Sequence, residues 1–141
     1  LPPSRRGNRM TQGDLNRYQK WWASEKYLVM AHSQAHYNAL RLLFKGNQWS
    51  EEKELEFERL LKEAYQQTPT TKTLRTAYQH IWGYFKKKAT SHEKDRYKEL
   101  DQSLETRSVD MHQFLRDLTQ TYQPAYLVQS RIMQLDASDL K

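Results

Sequence analysis

Apolar residues recur every three or four positions along most of this chain, and that spacing restricts what it can fold into. The clearest stripe lies between Thr71 and Lys88 and consists of Leu74, Ala77, Tyr78, Ile81, Tyr84 and Phe85. Only four Gly and four Pro interrupt the 141 residues, which favours long helices. Strand-like alternation of apolar and polar residues is not evident. The sequence therefore predicts an all-α fold.

Capping residues divide the chain into a predicted single-domain bundle of about six to seven helices. The boundaries follow from side chains that accept hydrogen bonds from free helix N–H groups, and from residues that stop a helix. From Tyr27 to Ala31 the first helix is apolar nearly all round, which predicts that it is central and buried. The predicted boundaries are Asp14 as the first N-cap, Ser33 and Gly46 around the second helix, Ser50 before the third, Thr71 and Lys88 around the fourth, a capping box from Thr90 to Glu93, Val109 and Tyr122 around the sixth, and Pro124 before a short last helix.

Both ends of the chain are expected to lie outside the helical domain, which spans residues 13–136. Residues 1–12 are interpreted as a disordered tail or a cloning remnant, with Met10 as a candidate start, and residues 137–141 as a flexible C-terminus. No run approaches the ~20 apolar residues of a membrane helix, and no secretion leader is recognisable. With no cysteine there is no disulfide framework or thiolate chemistry. The expected location is the cytoplasm, without membrane contact.

The positive charge is unevenly distributed, and its distribution points to a ligand. The formal net charge is +6. Residues 1–45 carry eight Lys and Arg against two acids, and residues 70–99 carry eight against three. Residues 46–69 reverse the balance with three against six, and residues 100–141 carry four against six. Such segregation favours a polyanion-binding face, although charges on ordinary solvated helix faces give the same count.

The fourth predicted helix presents this face most clearly. A step of ~100° per residue places polar side chains on its flanks and back, around Gly83. A glycine inside a helix costs ~1 kcal/mol relative to Ala, so either a neighbouring helix or a phosphate backbone is expected close to it. Trp82 is able to stack on a base, or else belongs to the core. The solvent-facing residues predicted for this helix are Lys72, Arg75, Gln79, Trp82, Lys86 and Lys87.

The histidines offer a weaker hypothesis. His32 and His36 have the spacing of zinc ligands on one helix, but a helix start at Ser33 would spoil that geometry. Buried, hydrogen-bonded histidines are the commoner outcome, and His112 is predicted to face solvent. Neither a phosphate loop nor a nucleophile elbow is present, and the acids of Glu51–Glu63 resemble a solvated helix face. The expectation is a protein that is not an enzyme and binds no cofactor or metal.

Two segments of the sequence resemble a known family. Glu25–Ser33, followed by Tyr37, and Gln79–Lys87 are similar to the motifs of the YbgA-like family, a bacterial domain of unknown function. The resemblance covers about residues 20–130. The same domain also occurs C-terminal to TudS-type thiouridine desulfidases, where it is understood to bind tRNA. The motif positions present in this chain are Lys26, His32, Ser33, Tyr37, Gln79, His80, Gly83, Tyr84, Lys86 and Lys87.

The resemblance implies an all-helical fold and RNA, in particular tRNA, as the ligand. The nucleic-acid-binding residues predicted from motifs and charge together are Lys26, His32, Lys72, Arg75, Gln79, His80, Trp82, Gly83, Lys86 and Lys87. The chain departs from the family pattern at Arg107–Met111, which lacks the usual Gly/Pro element, while Tyr126–Gln129 keeps the late Tyr-Leu-x-Gln element. Two other hypotheses stay open. One is an adaptor for a separate desulfidase or other modification enzyme, and the other is a small enzyme or metal site around His32, His36 and His80.

Overall fold

The computed structural model describes residues 12–140, and every regular element in that range is helical. Two single turns of 3-10 helix, Lys45–Asn47 and Ala137–Asp139, accompany the α-helices. The predicted all-α, single-domain architecture is confirmed over the described residues. Its eight α-helices are α1 (Gln12–His32), α2 (Gln34–Leu43), α3 (Glu51–Tyr65), α4 (Thr71–Trp82), α5 (Ser91–Gln102), α6 (Leu104–Tyr122), α7 (Ala125–Val128) and α8 (Arg131–Gln134).

Helix α1 is the centre of the fold, as its apolar second half predicted. All five residues from Tyr27 to Ala31 are buried. One side of α1 packs with α2 and α3 around Phe57, and the other packs with α4 and α8 around Ile81. A helix covered on both sides needs apolar residues around its whole circumference, which explains why this segment lacks a polar face.

Several predicted caps are confirmed. The Ser33 side chain accepts a hydrogen bond from the N–H of His36 at 3.2 Å, so α1 and α2 are separate helices. Ser50 caps α3 in the same way. Thr90 and Glu93 form the predicted capping box of α5, because each side chain accepts the backbone N–H of the other residue. These caps are local, since each depends only on residues three apart in the chain.

Other predicted boundaries are wrong. Asp14 lies inside the first turn of α1, which begins at Gln12. The second helix ends at Leu43, short of Gly46, whose φ of 83° occurs in the following 3-10 turn. The fourth ends at Trp82 and is followed by turns through Lys88. The sixth begins at Leu104, five residues before the predicted Val109, and bends at Arg107.

The last described residues, 137–140, pack on the bundle, where residues 137–141 were expected to form a flexible C-terminus. Asp136 and Asp139 form a capping box around the final 3-10 turn, and Leu140 is buried against the core. The predicted tail, apart from residue 12, lies outside the described residues. No helix in the described range is long and apolar enough to span a bilayer.

The prediction for His112 is wrong, because this side chain is completely buried. Its Nε2 lies 2.8 Å from the carbonyl oxygen of Ile132 and 3.1 Å from that of Leu135, and its Nδ1 lies 3.2 Å from the Tyr78 hydroxyl. An Nε2–H donor facing the carbonyls and an Nδ1 acceptor facing the hydroxyl satisfy all three contacts with a neutral ring. Burial lowers the pKa of His112, which favours that neutral form.

Candidate nucleic-acid interface

Helix α4 has a solvent-facing strip along its length. Lys72, Gln79 and Gly83 are exposed, while Ala77 and Ile81 on the opposite side are completely buried. This division follows the helical step of ~100° per residue that the sequence predicted. Helix α1 packs along α4. Helix α6 also contacts α4, so the exposed strip is the side of α4 that these two helices do not cover.

Gly83 is the C-cap of α4, so the mid-helix position predicted for it is wrong. After it the chain tightens, with the N–H of Tyr84 bonded to the carbonyl of Ile81 and that of Phe85 to the carbonyl of Trp82. A Cβ added at Gly83 would lie 3.1 Å from the carbonyl oxygen of His80. This contact is with the preceding turn of the same helix and involves neither a neighbouring helix nor a ligand, and the φ of −54° at Gly83 is one that any residue adopts.

Lys86 and Lys87 are exposed on the turns that follow Gly83, together with Lys88. The N–H of Lys86 still bonds to the carbonyl of Trp82, four residues back, so this segment continues in the direction of α4. The lysines therefore extend the strip formed by Lys72, Gln79 and Gly83. We call these exposed residues the α4 face: Lys72, Gln79, Gly83, Lys86 and Lys87.

Two predicted site residues are buried instead. The Trp82 ring stacks on Tyr97 of α5, with centroids 4.4 Å apart and planes 4° apart, and only 8% of the residue is exposed. His32 is 7% exposed, and its Nδ1 lies 2.7 Å from the carbonyl oxygen of Gln67. Since neither ring is open to a ligand, both are removed from the predicted surface. Trp82 follows the core alternative that its sequence position left open.

Arg75 is partly engaged within the protein. Its Nε donates to the Asp101 carboxylate at 3.1 Å, and its Nη2 donates to the Asp101 carbonyl oxygen at 3.1 Å. These contacts fix α4 to the end of α5. The Arg75 side chain is 38% exposed, but its guanidinium is already shared with an acid, so it differs from the lysines of the α4 face.

A feature that sequence reasoning missed is a cluster of three tyrosines between α1, α4 and α7. The hydroxyls of Tyr27 and Tyr84 share a hydrogen bond of 2.8 Å. Tyr126 lies 6.0 Å from each of those two rings, nearly parallel to Tyr84 with 20° between the planes. We call these three residues the tyrosine cluster. Each tyrosine belongs to a different segment that resembles the family motifs. A tyrosine in all three segments is the signal that could have revealed the cluster from the sequence.

Lys26 and His80 border the tyrosine cluster. The Lys26 ammonium lies 5.5 Å from the Tyr27 ring centroid and 5.3 Å from that of Tyr126, within the range of cation–π attraction. The His80 ring lies 6.3 Å from Tyr27, and its Nδ1 is 2.9 Å from the carbonyl oxygen of Thr76. Through Tyr84, the cluster connects Lys26 to the segment that carries Lys86 and Lys87. The structure thus places Lys26 and His80 beside the tyrosine cluster, while Lys72, Lys86 and Lys87 lie exposed along the α4 face.

Burial favours the neutral form of two rings of the tyrosine cluster, Tyr27 and Tyr126. Burial, followed by the hydrogen bond with Tyr84, raises the pKa of Tyr27 well above its usual range. Burial also raises the pKa of Tyr126. The nearest carboxylate in sequence, Glu25, is held by Arg131 at 2.6 Å and by the Tyr65 hydroxyl at 2.5 Å. Lys26 therefore faces neutral rings, and its neighbouring acid is paired elsewhere.

The structure does not bring His32, His36 and His80 together, as an enzyme or metal site around them would require. Ser33 separates His32 and His36 onto different helices, and His36 contacts the Ser33 hydroxyl and the Glu63 carboxylate. His80 lies instead beside Tyr27 on the α1–α4 side. Among residues 12–140 no group of three or more His, Asp or Glu side chains is arranged to hold a metal ion.

Comparison with known proteins places the chain in a family. Neither a curated protein nor a solved structure matches it significantly. A family model described as protein of unknown function, DUF1722, matches residues 26–136. The match includes Lys26, the tyrosine cluster and the whole α4 face, and it covers well over half of the chain. The chain therefore belongs to the DUF1722 family of proteins of unknown function, the YbgA-like family.

Proposed function

We propose that this chain is an RNA-binding module whose lysines on α1 and α4 contact the phosphates of a folded RNA, tRNA in particular. The observation that carries the proposal is the different use of lysine and arginine. Every ion pair between described residues has an arginine or histidine as its cation. Lys26, Lys72, Lys86 and Lys87 have no carboxylate partner among residues 12–140, so their charge is available to a polyanion.

The residues around these lysines suit a nucleic acid. Gln79 is exposed between Lys72 and Lys86 and offers both a donor and an acceptor to a base edge. Gly83 leaves part of the surface without a side chain, where a sugar–phosphate backbone fits closely. Phosphate contacts of this type supply most of the affinity of nucleic-acid-binding proteins and position the ligand.

The family resemblance gives the proposal a biological setting. The resemblance drawn from the sequence implies relatives fused to thiouridine desulfidases, and on that basis the proposed module delivers tRNA to thiouridine modification or desulfidation, in the cytoplasm, without catalysing the reaction itself. A separate desulfidase would then be its partner. Binding to tRNA with and without thiouridine, compared at one salt concentration, tests this setting, because a purely phosphate-reading module binds the two equally.

The direct test is tRNA binding across a salt series with the double variant Lys86→Glu/Lys87→Glu. Each phosphate contact contributes about 0.7–0.9 to the slope of log affinity against log salt. Loss of two contacts therefore lowers the slope by about 1.5 and weakens binding strongly at low salt. Lys45→Glu/Lys62→Glu is the matched control, because it makes the same charge change at two exposed lysines outside α4.

The outcomes separate this proposal from its alternative. Tight tRNA binding that survives both high salt and the Lys86→Glu/Lys87→Glu change contradicts the phosphate model. The adaptor alternative has one specific observation in its favour. Leu42 and Leu55 are 58% and 54% exposed, and Leu43 and Leu55 line a groove of about 520 Å³ between α2 and α3. An adaptor using that groove would bind its protein partner with little dependence on salt.

A further inference from the structure

We infer that the tyrosine cluster is a stacking site for an unpaired RNA base, so that the chain prefers single-stranded or looped RNA to duplex. The inference rests on the proposed function and adds the class of RNA that it recognises. Proteins that bind single strands combine a positive surface with aromatic rings on which bases stack. The tyrosine cluster and the neighbouring Lys26 have both components.

The rings are arranged as a partly exposed platform. Tyr84 and Tyr126 are nearly parallel and both remain partly exposed, whereas Tyr27 beneath them is 5% exposed. The Tyr84 hydroxyl is fixed by Tyr27, so the platform is anchored to α1. Tyr126 stands on the short helix α7, and its hydroxyl has no hydrogen-bond partner among the described residues.

Lys26 occupies the position that a nucleotide needs for its phosphate. Its ammonium lies over the Tyr27 and Tyr126 rings and is not held by a carboxylate. A phosphate is able to draw this flexible side chain aside, which frees ring surface for the base that the same phosphate carries. The ammonium then exchanges a weak ring contact for a charge-assisted hydrogen bond.

A comparison of single-stranded and double-stranded RNA distinguishes stacking from phosphate contact alone. Duplex RNA has the higher charge density, so a module that reads only phosphates binds duplex at least as tightly as single strand. Bases in a duplex are already stacked on one another and are not available to a tyrosine ring. Preference for the single strand therefore reports the aromatic contribution.

The experiment measures the affinity of the full chain for a labelled mixed-sequence RNA of about 12 nucleotides, a length within the usual range of single-strand sites. The same strand annealed to its complement is measured at the same salt. The expected result is tighter binding of the single strand. Tyr126→Leu, which keeps apolar bulk but removes the aromatic face, is expected to weaken single-strand binding about tenfold and leave duplex binding nearly unchanged. Tyr126→Phe is expected to retain the preference.

Phe44→Leu is the matched control, because Phe44 is also a partly buried aromatic stacked on another ring, Trp49, at 4.8 Å, on the α2–α3 side of the molecule. It should leave both affinities unchanged. Equal, salt-sensitive binding of single strand and duplex overturns the stacking site and leaves the proposed function standing. A preference that survives Tyr126→Leu also overturns it. Failure to bind either short RNA also overturns the stacking site, and the proposed function is then decided by the tRNA measurement alone. Thermal unfolding of each variant verifies that it is folded.

Discussion

Helices α3 and α4 are of similar length, yet they use their charged side chains in opposite ways. On α3, Arg59 bonds to Glu56 at 2.7 Å and to Glu63 at 2.9 Å, and His36 of α2 bonds to Glu63 at 2.8 Å. On the α4 face, the lysines have no such partners within the described range. Lysines of α3 are also outside the ion pairs, so the α4 face is distinguished by its lack of nearby acids in the sequence, since residues 64–92 contain no Asp or Glu.

The exposed pairs of α3 contribute little to stability, since surface ion pairs are usually worth about 0–1 kcal/mol. Their consequence is electrostatic, because paired charges give a weak field at a distance. The lysines of the α4 face have no such pairs among the described residues, so their positive electrostatic potential extends further from the surface. The difference between the two helices can be tested most directly on α4 itself, whose buried and exposed sides serve different purposes.

The largest expected effect is on the buried side of α4. Trp82→Ala removes a ring stacked on Tyr97 and should lower the free energy of unfolding by about 3–5 kcal/mol. Gln79→Ala on the exposed side should change it by no more than about 0.5 kcal/mol. Urea denaturation of the two variants measures both values. A small loss for Trp82→Ala would show that this residue is not in the core, and the contrast between the two sides would fail.

The buried histidine supplies an intermediate effect. Because burial lowers the pKa of His112, the unfolded chain binds a proton below its ordinary value of 6.5 while the folded chain does not. Stability is therefore fully present above pH 6.5 and falls as the pH decreases. The loss by pH 5.5 is limited to about 1 kcal/mol, which is the value for a ring that stays neutral in the folded protein. Denaturation midpoints across this range measure it.

His80 provides the comparison for that measurement. It is exposed, so His80→Gln should leave the pH dependence intact, whereas His112→Gln should flatten it between pH 5.5 and 6.5. If the wild-type protein is equally stable at both pH values, then His112 is not held neutral by its two carbonyl contacts. Comparison of the two variants therefore tests whether the pH dependence comes from the buried His112 or from the exposed His80.

The smallest effects concern two cations on one helix. Arg75→Gln breaks the contact with Asp101 and should cost about 0.2–1 kcal/mol of stability, without changing tRNA affinity. Lys72→Gln should leave stability within about 0.5 kcal/mol but weaken tRNA binding about threefold and lower the salt slope by about 0.7–0.9. Parallel unfolding and binding measurements on both variants test the pair. Equal effects on binding would remove the distinction between paired and unpaired cations.

Local features of the fold were predictable from the sequence because they depend on neighbouring residues. The caps at Ser33, Ser50 and Thr90 each involve a side chain and an N–H three residues away. The burial of α1 from Tyr27 to Ala31 followed from its unbroken apolar run. Such features need no knowledge of which helices become neighbours.

Features that depend on distant residues were not predictable in this way. Trp82 is buried because Tyr97 of α5 covers it, and His112 because the residues around Ile132 fold back over α6. Neither covering segment is marked in the periodicity of the helix it covers. The tyrosine cluster has the same origin, since its members come from α1, α7 and the turns after α4. Exposure of the α4 lysines was predictable, but the absence of ion pairs required the structure.

The bond between Arg131 and Glu25 joins residues 106 positions apart in the chain. It fastens α8 to α1, and α8 follows directly after the helix that carries Tyr126. The site at Lys26 therefore stays incomplete during synthesis until nearly all of the domain has left the ribosome, because its first residue is made early and its last aromatic ring arrives late. An unfinished chain has the lysines but not the assembled tyrosine cluster, so the proposed RNA recognition would require completion of folding.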